Sequence, residues 1–145
     1  IFDLQINPHQ FKQAAKLSER NPEIPLVLGH LGSPILQDLT TEKIYWEGIK
    51  ALADLPQNSI KLSMLSYIDK EWQNNPLVED TVLKIIDIFG VDRCFFASNF
   101  PVELNDGWPA ERLFGALKGL VKSLSPADQK KLFSENAKRV YKTYS

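Results

Sequence analysis

The sequence predicts an α/β fold. Three observations carry that prediction: continuous apolar runs of strand length, amphipathic helical stretches between them, and strand ends that stop at a polar residue before glycine or proline turns the chain. Strands buried on both faces read as near-continuous apolar runs, and their alternation with helices implies parallel pairing with helices covering the sheet. At 145 residues, 43% hydrophobic and 24% charged, the chain is long enough for one core and is read as a single domain over residues 1–145.

Strand and helix patterns alternate four times. Ile1 to Ile6 is an apolar run, and Asn7-Pro8-His9-Gln10 follows as a helix start, with proline at the first helical position and Gln10 completing a capping box. Phe11, Ala14, Ala15 and Ser18 then repeat at helical spacing until Asn21-Pro22. Ile24 to Gly29 is the second strand. Thr40 or Thr41 caps a helix bearing Trp46, Ile49, Leu52 and Ala53, which Pro56 stops. Ile60 to Leu65 is the third strand. Pro76 opens a helix striped by Val78, Val82, Ile85, Ile86 and Phe89, with Gly90 as its left-handed stop. Arg93 to Ser98 is the fourth strand. A loop with Trp108-Pro109, a helix carrying Leu113, Leu117, Leu120 and Val121, a second start at Ser125-Pro126 and an amphipathic tail through Tyr141 complete the chain.

Two closures fit four such units: an open doubly wound sheet, or half of a (β/α)8 barrel, which takes about 250 residues. A glycine-rich phosphate loop after the first strand is missing, as is any GxxxxGK[ST] run, so the nucleotide-binding version of the open sheet loses its main support. With 17 Lys+Arg against 18 Asp+Glu there is no basic excess to hold nucleic acid or an anionic membrane surface. Apolar stretches all fall short of the roughly 20 residues that span a bilayer. Cys94, the single cysteine, sits in an apolar run and reads as a small buried hydrophobe in a reducing, cytoplasmic compartment. The chain opens at Ile1, directly into a strand, which reads as a cut rather than a natural boundary.

Ligands in parallel α/β folds gather at the carboxyl ends of strands. Two strand ends carry the right chemistry: Leu28-Gly29-His30-Leu31-Gly32-Ser33-Pro34 delivers His30, and Phe96-Ala97-Ser98-Asn99-Phe100-Pro101-Val102 delivers Asn99. Together with Asp3-Leu4-Gln5, Ile60-Lys61-Leu62-Ser63 and the closing Glu135-Asn136-Ala137-Lys138-Arg139-Val140-Tyr141, these segments stand in the order seen in the amidohydrolase-related ("amidohydrolase 2") proteins. The chain resembles that family, whose members are similar to pyrone-dicarboxylate and sugar lactonases. The resemblance implies strands five to eight of a TIM-type barrel, with the first half absent.

By that resemblance His30 matches the histidine ending strand six, which binds metal or polarises the substrate carbonyl. Asn99 stands where the family has the water-activating aspartate of strand eight, and an amide cannot accept a proton at neutral pH. Gln5 stands about where metal-dependent relatives place a strand-five histidine, and its amide oxygen is a poor ligand for a transition metal. The His-x-His pair of strand one has no counterpart, since His9 and His30 are the only histidines. No cofactor is therefore assigned, and a divalent metal lacks a full ligand set here.

Catalytic candidates are His30 and Asn99; substrate-binding candidates are Gln5, Ser63, Tyr67 and Trp108. Lys61 shares a strand face with Ser63 by the period of two. Glu103 reads as a solvated loop carboxylate and His9 as an exposed residue, while Trp46 and Phe89 read as helix-to-sheet packing. The function expected is hydrolysis of a lactone or similar cyclic ester by water attack on the carbonyl. A non-catalytic barrel or interaction module, and a decarboxylase of the same superfamily, are the alternatives. Half a barrel leaves two unpaired edges and an inner face expected to hold Leu28, Leu62 and Phe95. The expected partners are a small-molecule substrate and either the missing amino-terminal half or a second copy of the chain.

Overall fold

The computed structural model describes residues 1–40 and 43–143. Its frame is a four-stranded sheet of β1 (Phe2–Leu4), β2 (Leu26–Leu28), β3 (Ser59–Leu62) and β4 (Cys94–Phe96), all parallel and neighbouring one another in chain order. A doubly wound sheet reverses its strand order at a switch point, whereas a barrel wall runs in sequence. The order seen here is that of a barrel wall, and four strands are half of one. Each strand is shorter than its apolar run because the last residues leave the ladder for the turn. The ladder still extends a step beyond the strands, with Gly29 N donating to Leu4 O (2.9 Å) and Ala97 N to Leu62 O (3.4 Å).

The helices are α1 (Phe11–Arg20), α2 (Leu36–Thr40), α3 (Lys43–Ala53), α4 (Leu65–Ile68), α5 (Pro76–Phe89), α6 (Val102–Asn105), α7 (Ala110–Leu120), α8 (Pro126–Lys130) and α9 (Asn136–Tyr141). Their starts have physical causes. Gln10 reaches back to accept from Asn7 N (3.0 Å), Asn75 accepts from Leu77 N (3.1 Å) and Ser125 accepts from Asp128 N (3.1 Å). Thr40 ends α2 instead of capping α3, its hydroxyl donating to Gln37 O (3.1 Å). Thr41, the other expected cap, lies outside the described residues. Asn136 pins α9 to the sheet by donating to Val91 O (2.7 Å) and Cys94 O (2.8 Å) at the start of β4.

Period two divides the sheet. Leu26, Leu28, Ile60, Leu62, Cys94 and Phe96 face the helices and join Phe11, Ile49, Leu52, Val82, Ile85 and Leu117 in one core. Each such fully buried aliphatic side chain contributes about 1.5–3 kcal/mol. Leu28 and Leu62 therefore belong to the helix side, not to the inner face where they were expected, because they alternate with Gly29, Lys61 and Ser63. The inner face holds Asp3, Val27, Lys61 and Phe95. Its apolar members are covered, with Val27 at 0% and Phe95 at 2% exposure, while the Asp3 side chain stays 48% exposed. Lys61 Nζ and Asp3 Oδ1 (2.9 Å) bridge β3 to β1 over Val27. Tyr141, just past β4 in space, lays its ring edge-on to Phe95 (5.8 Å) and donates its hydroxyl to Asp3 Oδ1 (2.8 Å).

One contact sets the rim. The Phe11 ring lies between two glycines, and a Cβ on Gly32 would fall 2.1 Å from its Cζ while one on Gly48 would fall 2.5 Å from its Cδ2. Phe11 is 1% exposed, so α1, α3 and the turn after β2 are locked through that ring.

Candidate functional site

Backbone strain gathers at one end of the sheet. Among the described residues six non-glycine positions have positive φ, and five of them follow a strand: His30 (55°), Leu31 (54°) and Ser33 (51°) after β2, Met64 (59°) after β3 and Asn99 (54°) after β4. Such positions cost on the order of 1–3 kcal/mol each and persist only where the surroundings over-determine them. The turn after β2 is held by Gly32 N to Gly29 O (2.8 Å), Ser33 N to His30 O (2.7 Å) and the Tyr45 hydroxyl to Leu31 O (3.0 Å). Burial pushes the Tyr45 phenol far up, so it remains a neutral donor.

His30 leaves that turn half-buried with Nδ1 2.9 Å from Ser63 Oγ, at the end of the adjacent β3. Ser63 is 3% exposed, so the hydroxyl is a fixed orienting group. The His30 pKa is lowered from 6.5, first by burial and then by the positive charge of Lys61, against an opposing pull from Asp3. At neutral pH the ring is uncharged. If Nδ1–H donates to Ser63, Nε2 is left as a base; in the other tautomer Nε2–H is a donor able to polarise a carbonyl.

The strand-eight position builds a second grouping. Asn99 Nδ2 is buried with no partner, while Oδ1 is not among the buried unpaired atoms. Glu103, one turn on in α6, is 1% exposed and accepts from Ser66 Oγ at Oε1 (2.9 Å), leaving Oε2 buried and unpaired. Asp106 accepts from the same hydroxyl at 3.2 Å. Burial raises the Glu103 pKa, while Ser66 and the nearby Asn99 amide lower it in part. The structure buries Glu103, where the sequence predicts a solvated loop carboxylate. Nothing local in Val102-Glu103-Leu104 marks this burial, because the hydroxyl that receives the carboxylate comes from Ser66, 37 positions away.

Gln5 is exposed and, with Asn7, Ser33, Met64 and Tyr67, lines a cavity of about 410 Å³ at the same end of the sheet. Tyr67 is 54% exposed and also walls an adjoining space of about 230 Å³ that includes the exposed His9. His30 and Asn99 line neither cavity, and no hydrogen bond joins them; the structure pairs His30 with Ser63, sets Gln5 and Tyr67 on one cavity, and ties Asn99 to Glu103 through the backbone alone. Trp108 does not serve a pocket. It is 0% exposed, stacks on Trp72 (4.8 Å between rings) and donates Nε1–H to Lys70 O (3.1 Å), because the loop after β4 folds it inward as core. Lys61 is partly exposed, at 23% of its side chain, and is paired with Asp3 on the inner face, not turned to the helices.

Residues 1–143 match a family described as Amidohydrolase. An uncharacterized protein of Sinorhizobium fredii is 30% identical over 97% of this chain and 46% of its own length. Among solved structures, an amidohydrolase from Burkholderia multivorans with bound zinc superposes with a TM-score of 0.85 at 25% identity, covering 98% of this chain and 52% of that one. A probable 2-pyrone-4,6-dicarboxylic acid hydrolase from Acinetobacter baumannii, with citric acid bound, superposes at 0.78 with 16% identity, covering 97% and 52%. The chain spans about half the length of these relatives. The Burkholderia zinc raises the question of a metal here. Among the described residues no group of three or more histidine, cysteine, aspartate or glutamate side chains could hold an ion. His30, Ser63, Gln5 and Asn99 offer one imidazole, one hydroxyl and two amides, a donor set that does not fit a zinc site by itself.

Proposed function

The chain belongs to the amidohydrolase family, and we propose that its rim forms the carboxyl-terminal part of a hydrolase site that opens a lactone or similar cyclic ester. The His30–Ser63 pair, held by strained backbone at the ends of adjacent strands, is the observation that carries this reading. Chemically, His30 Nε2 takes a proton from water as the oxygen attacks the ester carbonyl; the tetrahedral oxyanion collapses, the ring C–O bond breaks, and the proton passes to the leaving alkoxide to give a hydroxy acid. Asn99 serves by hydrogen bonding, since its amide cannot be the base.

A reducing, cytoplasmic setting suits the buried Cys94 thiol. No helix among the described residues is long and apolar enough to cross a membrane. The partner in this reading is the other half of the barrel. Beside the edge strand β1 lies a groove of about 320 Å³ lined by Ile1, Phe2, Leu17, Ile24 and Leu26, of which Phe2 is 48% and Leu17 49% exposed, as a seat for a neighbouring unit requires. A second copy of the chain is the other candidate for that seat.

The test is a panel of γ- and δ-lactones, linear esters, amides and aromatic carboxylic acids offered to the chain together with its amino-terminal half, with acid and carbon dioxide release both followed. Ring opening of lactones is the expected result. Carbon dioxide release would install a decarboxylase instead, and inertness across the panel a non-catalytic barrel.

A further inference from the structure

Two buried atoms lack partners within one turn of each other, and their chemistry is complementary. Asn99 Nδ2 is a donor and Glu103 Oε2 an acceptor. Glu103 N also donates to Asn99 O (3.4 Å), so the two residues are already tied through the backbone. A buried polar group left unmade costs about 1–3 kcal/mol, and more when charged, so a donor and an acceptor on residues one turn apart would each gain by joining. The other carboxylate oxygen is committed to Ser66, which is itself buried and shared with Asp106. Glu103 therefore has little freedom to turn away.

We propose that Glu103 is a positioning residue for Asn99: its buried carboxylate captures Nδ2 and thereby directs the Asn99 carbonyl oxygen toward the rim. An amide can present either end, and the reversed orientation would set its oxygen against the carboxylate. The rim thus presents an acceptor at this strand end, suited to a water proton or a substrate hydroxyl. This deepens the lactone reading and rests on it only for the identity of the group received, since the orientation itself needs no turnover.

The test is side-chain amide NMR on the ligand-free 145-residue chain. One Asn99 Hδ2 proton should exchange with solvent about tenfold or more slowly than those of a freely exposed asparagine, the factor that a hydrogen bond to a charged acceptor provides. Glu103→Gln keeps a carbonyl acceptor and should retain the slow proton; Glu103→Leu should lose it. Should Glu103→Leu fail to fold, the wild-type measurement decides alone. Rapid exchange of both Hδ2 protons in the wild-type chain, or slow exchange that survives in a folded Glu103→Leu, would overturn the proposal. Either result leaves the His30 reading standing, because that is measured by activity.

Discussion

Substituting Gly32 by alanine tests how the turn that carries His30 is built. Two penalties act there. With φ at +79°, alanine would occupy the left-handed region at a cost of about 1–2 kcal/mol. Its Cβ would also lie 2.1 and 2.6 Å from Phe11 Cζ and Cε1. The ring cannot retreat, since Gly48 backs it on the other side, so overpacking adds about 1–3 kcal/mol. Together Gly32→Ala should cost about 2–5 kcal/mol. Gly107 is the control, with φ at +83° and its nearest neighbour, Arg112 Nη1, 4.0 Å away. Gly107→Ala should cost only the backbone share, about 1–2 kcal/mol. Urea unfolding followed by circular dichroism measures both. If the two variants agree within about 0.5 kcal/mol, the ordinary scatter of surface substitutions, Phe11 is not the clamp described here.

Burial pushes the Cys94 thiol up to about 12, so it should resist a thiol reagent at pH 8 in the native chain and react as one equivalent on unfolding; prompt labelling of folded protein would show the strand open. Tyr141→Phe keeps the ring on Phe95 but deletes the bonds to Asp3, and should cost about 0.5–1.5 kcal/mol by chemical denaturation. Tyr141→Ala should cost more by uncovering the inner face, and equal losses would mean that the ring contributes nothing. The Glu103 pKa is raised above its ordinary 4.5 chiefly by burial, so its favourable contribution is fully present below that value and is lost as pH rises through the folded pKa. Glu103→Gln should flatten this part of the stability profile, and an unchanged slope would contradict the assignment.

Period and punctuation explain what was legible in the sequence. The strands, α1, α5 and α7 follow from apolar spacing, and the caps at Asn75 and Ser125 from local chemistry. His30 and Ser63 could be placed at strand ends by the same spacing, and they meet. Harder to read were contacts made at a distance in sequence. Leu28 and Leu62 are as apolar as inner-face residues, and only the ladder register shows that they turn to the helices. Trp108 looked like a pocket wall because its partners, Trp72 and Lys70, are brought to it only by the packing of the loop after β4. Glu103 looked solvated because no local signal reveals that Ser66 arrives to receive it. The cover that Tyr141 gives the inner face spans 138 positions from Asp3, beyond the reach of any periodicity.

His30 carries the proposed chemistry, and its role is read by kcat/KM for lactone opening by this chain together with an amino-terminal half of the barrel, comparing wild type with His30→Ala across pH. With His30 as base or polariser, the substitution should lower kcat/KM by about 10²–10⁴. The wild-type profile should lose activity on the acid side below pH 6.5, since burial and Lys61 lower the ring's pKa from that value. Retention of wild-type kcat/KM by a folded His30→Ala protein would remove His30 from the chemistry.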